Sequence, residues 1–170
     1  MENRNITMWD ACAFFKRLVS CNKLCQDLGF TCVEVSGLDG LEEALATMQK
    51  TANLVMVSEN AAGLTRLDNT PHNTKVRTVF IAMRYKHDDM AARKTCMNTI
   101  FELHRQFASV LIRESVRIQE KMQHLNPEIT LQEVDKYLVP DTAICMFELA
   151  VNTYIDLQYN PLEWTTSPIN

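Results

Sequence analysis

The sequence predicts an α+β fold, with a central mixed or antiparallel sheet of about four to five strands flanked by helices in a single domain over residues 1–170. Three observations carry this expectation. Short β-branched and apolar runs are interleaved with stretches whose apolar residues recur at helical spacing. At 170 residues and 46% hydrophobic, the chain is long enough to bury one substantial core and short for two. Residues 145–159 alternate apolar and polar for an unusually long run, which only a strand accommodates.

The first element opens at Thr7-Met8-Trp9-Asp10, a Ser/Thr-x-x-Asp/Glu pattern in which the Thr7 hydroxyl is expected to cap a helix. Phe14, Leu18, Cys21, Cys25 and Leu28 then recur at helical steps as one stripe, and Gly29 supplies the stop. The run "FTCVEV" at 30–35 reads as a strand and "SGLDG" as the turn after it. Asp39 is placed to cap a helix with Leu41, Ala44, Leu45 and Met48 on its apolar face. "ANLVMVS" at 52–58 has no polar interruption, as expected of a strand covered on both faces, so strand, helix and strand make a right-handed crossover.

Residues 59–75, with Gly63, Pro71 and several Asn, Asp and Thr, read as a long loop, either mobile or a contact element. In "RTVFIAMRYKHDDM" at 77–90, Val79, Ile81 and Met83 point one way and Thr78, Phe80 and Ala82 the other. A long helix follows, with Cys96, Ile100, Leu103, Phe107 and Val110 on its apolar face and Lys94, Asn98, Arg105 and Ser109 on its polar face. Beyond Arg113 two readings stand: Ile118, Met122 and Leu125 continue the helix, or Val116, Ile118 and Glu120 begin a strand. Asn126-Pro127 ends either one, "EITLQEV" reads as an edge strand, and Pro140-Asp141 as a turn.

In the closing strand Cys145, Phe147, Leu149, Val151, Ile155, Leu157 and Tyr159 share one face, and Glu148, Asn152, Asp156 and Gln158 the other. Fifteen extended residues span about 50 Å, while a domain of this length is only about 40 Å across. The strand therefore bends, bulges near Asn152-Thr153, or projects, with the chain leaving it as an extended tail at 160–170. A projecting strand has an unpaired edge and a bare apolar face that another copy of the chain would cover.

Few residues suggest chemistry. A His-Asp pair such as His87-Asp88 ligates metal in some phosphohydrolases, joined by ligands such as His72 or His104. No companion spacing supports that here, and Asp88 or Asp89 as the cap of the following helix explains the acidic residues. Cys21 and Cys25 lie one turn apart but lack the second pair that structural zinc requires. The six cysteines are expected as reduced thiols on apolar faces. Gly37 and Gly40 lack the rest of a phosphate-loop fingerprint. No catalytic, cofactor-binding or metal-ligating residue is therefore assigned. A net charge of −4 argues against sequence-independent nucleic-acid binding, and no apolar run is long enough for a membrane helix or a secretory signal. The candidate interaction surface comprises Arg77, Arg84, Lys86, Glu148, Asn152, Tyr154, Asp156 and Trp164. Its basic members, with Arg93, form a cluster suited to an acidic partner, and Trp164 in "YNPLEW" is suited to clamping a tail onto the sheet or a neighbour.

Four segments carry a family resemblance: "GLEEAL" at 40–45, "RTVFI" at 77–81, "DDMAARKTCMNTIFELHRQF" at 88–107 and the closing strand ending in "YNPLEW" at 159–164. In that order they resemble phage and prophage tail-terminator or tail-completion proteins of head-tail or neck junctions, of the Bacteroidetes type. The resemblance implies a non-enzymatic subunit with no cofactor, forming a homo-oligomeric ring, possibly a hexamer, that meets other tail or connector proteins. It implies assembly in the cytoplasm and a final place in the virion. The alternatives are a small-molecule-binding or regulatory α+β module, or a metal-dependent hydrolase using His87 and Asp88.

Overall fold

The computed structural model describes residues 8–36, 53–58, 62–67, 71–86, 89–134 and 141–155, with 162 and 165. They build an α+β structure around one mixed seven-stranded sheet, two strands more than the upper expectation.

Helix α1 (Ala11–Cys21) starts later than expected, and its cap is Asp10, whose carboxylate accepts from the Ala13 N–H at 2.9 Å. A carboxylate is the better acceptor and also favours the positive helix end. The expected single helix to Leu28 is broken at Asn22, which is extended (φ −83°, ψ 124°). Its backbone N–H closes α1 on Leu18, and its side chain accepts from Cys25 N to open α2 (Lys23–Asp27). One short amide thus ends one helix and starts the next, a local bond that competes with helix continuation. In consequence Cys21 is exposed while Cys25 is buried, so the two thiols do not share a stripe. Gly29 does end the helical region: at φ +66° it lets the Phe30 N–H reach back to the Cys25 carbonyl at 2.8 Å.

Strand β1 (Thr31–Val35) pairs in parallel with β2 (Leu54–Ser58). Parallel neighbours require a crossover, as the sequence suggests; the expected crossover helix with Leu41 and Met48 lies outside the described residues. Leu54, Val55, Met56 and Val57 are all buried, as expected of a strand covered on both faces.

The segment read as a loop at 59–75 is largely a hairpin. Strand β3 (Ala62–Arg66) pairs antiparallel with the first part of β4 (His72–Arg84). Exposed Gly63, Leu64 and Thr65 give β3 no apolar alternation, so periodicity does not reveal it. Further along, β4 pairs through Val79–Ala82 with β2.

Asp89 caps helix α3 (Met90–Gln119), accepting from the Ala92 N–H at 2.8 Å. His87 and Asp88 lie outside the described residues. The helix runs thirty residues, about 45 Å at 1.5 Å per residue, so Val116 and Ile118 are helical, but it stops at Gln119, short of Met122 and Leu125. Its buried stripe is Met97, Ile100, Leu103, Phe107, Leu111, Glu114 and Ile118, whereas Val110 is exposed and Cys96 only half-buried. A straight helix drifts by about 20° per heptad, so the core-facing position moves from 110 to 111. Met122 (φ 57°) turns the chain into β5 (Gln123–Leu125), and β6 (Leu131–Glu133) is the expected edge strand.

Strand β7 (Thr142–Tyr154) is neither projecting nor bulged against its long neighbour. It pairs with β4 without interruption from His72↔Tyr154 to Arg84↔Thr142, and its other edge takes β5 and β6. At about 3.3 Å per residue its length is about 43 Å, so it crosses the body once. The expectation of an unpaired strand failed because four residues of β4 that shelter its end, His72 to Lys75, lie in the segment read as loop.

The first face of the sheet holds the main core. Val55, Val57, Val79, Ile81, Phe147 and Leu149 meet α1 and α3, and Phe15 packs its ring 5.8 Å from Phe107 and 6.0 Å from Phe147. Each buried aromatic contributes about 1.5 to 3 kcal/mol through apolar area removed from water. On the second face a smaller cluster of Val35, Leu54, Met56, Ala82 and Ile144 is buried at the β1–β2 end only. No helix among the described residues is long and apolar enough to cross a membrane.

Candidate functional site

The pairing registers place the outward residues of four strands, β3, β4, β7 and β5, in rows across the second face. Arg66, His72 and Tyr154 form one row; Leu64, Thr74, Asn152 and His124 form the next; Val76 and Ala150 follow, then Thr78 and Glu148. Nearer the β1–β2 end the rows reach Phe80 and Met146, then buried Ala82 and Ile144. The second face therefore grades from sealed to open along the strands. At its open end Leu64 is 58% exposed, Leu67 beyond it 78% and Tyr154 44%. Thr74 Oγ1 donates to Asn152 Oδ1 at 2.6 Å, which fixes the middle of this surface. Between β7 and the 126–132 segment lies a groove of about 210 Å³ lined by Val76, Met146, Glu148 and Ala150, with Asn126 and Gln132 on its far side.

Of the residues singled out in the sequence, Glu148, Asn152 and Tyr154 are brought together here, as alternation requires. The basic residues are not. Arg77 has odd parity and faces the helices, while Arg84 ends β4 on the opposite face, about 23 Å along the strand. Lys86 lies past the strand, and Arg93 is paired with Glu133, whose carboxylate holds its guanidinium pKa above the usual range. The expected basic cluster is thus dispersed. Asp156 and Trp164 lie outside the described residues.

Of the residues weighed for metal chemistry, His87 and Asp88 lie outside the described residues, and His72 and His104 are held apart. His72 lies on the second face, while His104 stands on α3 against Phe147, ring centroids 4.9 Å apart, on the first face. Burial lowers the His104 pKa. Among the described residues no group of three or more His, Cys, Asp or Glu side chains is placed to hold a metal ion. Three of the thiols are poor nucleophiles: burial pushes Cys25 and Cys145 up to about 11 and Cys32 up to about 12.

A second concavity of about 290 Å³ opens on the first face, where the start of α1 meets the ends of β1 and β2; Trp9, Asp10, Cys12, Glu34, Val57 and Arg77 line it. Trp9 is anchored there. Its indole Nε1–H donates to Glu114 Oε1 at 2.9 Å, and its backbone N–H donates to Gln123 Oε1 at 3.0 Å. Sequence reasoning missed this junction, because Trp9 and Glu114 are 105 positions apart. The open end of the second face was also only half read, since Leu64 and Thr74 lie in the segment read as loop. The sequence matches no protein-family model and no curated protein.

Proposed function

We propose that this chain is a non-enzymatic assembly protein whose open sheet face meets other subunits. The observation that carries the reading is the exposure of Leu64, Leu67 and Tyr154 together at one end of the sheet, around the half-buried Val76 and Ala150. Apolar surface gathered at the end of a hairpin, and rimmed by Arg66, His124 and Glu148, suits a protein contact better than a small-molecule pocket. The partner surface is a second copy of the chain, arranged in a ring, with tail-tube or connector proteins of a phage or prophage at its open faces. That finer identity draws on the family resemblance of four segments. The support no longer includes a naked strand edge, since β7 is paired on both sides.

The test is light scattering after size-exclusion chromatography over a range of concentrations, on the unaltered protein and on Leu64→Glu with Tyr154→Glu. The reading expects a defined oligomer that dissociates in the double variant while the thermal midpoint stays within a few degrees. A monomer at every concentration, unchanged on mixing with tail-tube and connector proteins, overturns it.

A further inference from the structure

We propose that the cavity at the start of α1 is a binding site for a carboxylate bearing a small apolar group, with Arg77 as its ion-pairing anchor. Arg77 projects from β4 at the point where β2 pairing ends at Val79 and β3 pairing begins at Val76. Its Nη1 is buried and has no hydrogen-bond partner, and no ion pair among the described residues involves it. Arg77 is half-buried, so its guanidinium keeps part of its water, and the cost lies with the buried N–H group left without an acceptor. The cost falls when an anion arrives, and the planar fork matches a carboxylate with two parallel N–H donors.

The walls define which anion. Two carboxylates face the same space, but both are committed elsewhere: Asp10 caps α1 through Ala13, and Glu34 stands 3.8 Å from the Lys16 ammonium. Their negative charge disfavours a phosphate dianion and tolerates a monoanion held close to Arg77. Trp9 and Val57 supply an apolar wall, and the Trp9 indole is fixed by Glu114 and by its contact with Phe14, 5.4 Å between centroids. A volume of about 290 Å³ lies at the lower end of ligand sites, which restricts the occupant to a few non-hydrogen atoms beyond the carboxylate. A free short-chain or aromatic acid meets this description, and so does the carboxylate of a peptide; the chemistry is shared. The proposal is independent of the assembly reading, whose surface lies on the other face of the sheet.

Trp9 reports directly when Trp164→Phe leaves it as the sole tryptophan. In that background the protein is titrated with isovalerate, isovaleramide, inorganic phosphate, and a short peptide with either a free or an amidated carboxy terminus. Saturable change in Trp9 emission with isovalerate, absent with the amide, is the expected result. Arg77→Met should weaken binding at least tenfold, and Arg77→Lys, which keeps the charge without the fork, should fall between. Tighter binding of the free-terminus peptide than of isovalerate assigns the natural source to a protein chain; the reverse order assigns it to a small acid. Binding that is equal for acid and amide, retained in both Arg77 variants, or confined to phosphate overturns the proposal. If Arg77→Met fails to fold, the Arg77→Lys titration against isovalerate and isovaleramide decides.

Discussion

Leu149 and Tyr154 lie five residues apart on β7 and on opposite faces of the sheet, so the two substitutions to alanine test the register directly. Leu149 is fully buried in the core between β4 and α3, whereas Tyr154 is 44% exposed at the open end. Leu149→Ala removes three carbons, worth about 2.4 kcal/mol of transfer free energy. The rigid sheet does not collapse around the gap, and the residual cavity brings the expected loss to about 3 to 4 kcal/mol. Tyr154→Ala should cost about 1 kcal/mol, because the ring already meets water on one side. In urea denaturation followed by far-ultraviolet circular dichroism, with a slope of about 2 kcal/mol per molar, the midpoint falls by about 1.5 to 2 M for Leu149→Ala and by about 0.5 M for Tyr154→Ala. Asp at both Leu149 and Val151 should prevent folding altogether. Equal midpoint shifts for the two alanine variants, or a folded soluble monomer carrying the two aspartates, would refute the register and with it the division between buried and open faces.

Three further outcomes follow from particular contacts. Glu114→Ala should cost about 1 to 3 kcal/mol by leaving the Trp9 indole N–H without its acceptor, read as a lower thermal midpoint with a shifted Trp9 emission. Asp89→Ala should cost about 0.5 to 2 kcal/mol through loss of the α3 cap; loss of an activity with no change in stability would instead revive a chemical role for the acidic turn. His104 is held neutral by burial, its pKa below the ordinary value, so the unfolded chain binds the proton more readily. Stability is then complete above about pH 6.5 and declines as the pH falls through the folded value, and His104→Phe should flatten that decline in denaturation midpoints taken from pH 7 to pH 5.

Where a segment was legible in the sequence, one local period decided it. Phe147, Leu149 and Val151 announce their strand because one face is buried and the other is not, and Ile100, Leu103 and Phe107 announce their helix for the same reason. What periodicity cannot show is a strand sheltered on neither face. Strand β3 carries Gly63, Leu64, Thr65 and Arg66 exposed, so nothing in its pattern distinguishes it from loop; its only cause is the antiparallel neighbour that begins at His72. The break at Asn22 is equally silent, since a helical stripe and a helix interrupted by a capping amide place apolar residues at nearly the same intervals.

These omissions were coupled, and the coupling bears on function. Reading 59–75 as loop removed the first four residues of β4, His72 to Lys75, which left the far end of β7 without its partner and made sister molecules one candidate to cover its edge. With β4 restored, β7 is paired along the whole of one side, and its other side is covered by β5 at Val151–Thr153 and by β6 at Cys145–Phe147, so the proposed subunit contact acts through side chains on the open face. A contact of that kind is set by Leu64, Leu67 and Tyr154, which point substitutions remove without touching the sheet. The restored hairpin also sets Arg77 apart: it occupies the one position of β4 that faces the helices between β2 and β3 pairing, with only Leu149 of β7 opposite it, and its side chain lines the cavity. The same strand therefore turns the open apolar surface of the proposed contact to one side and Arg77 to the other, and charge reversal at Arg77 should leave any assembly through the first surface intact.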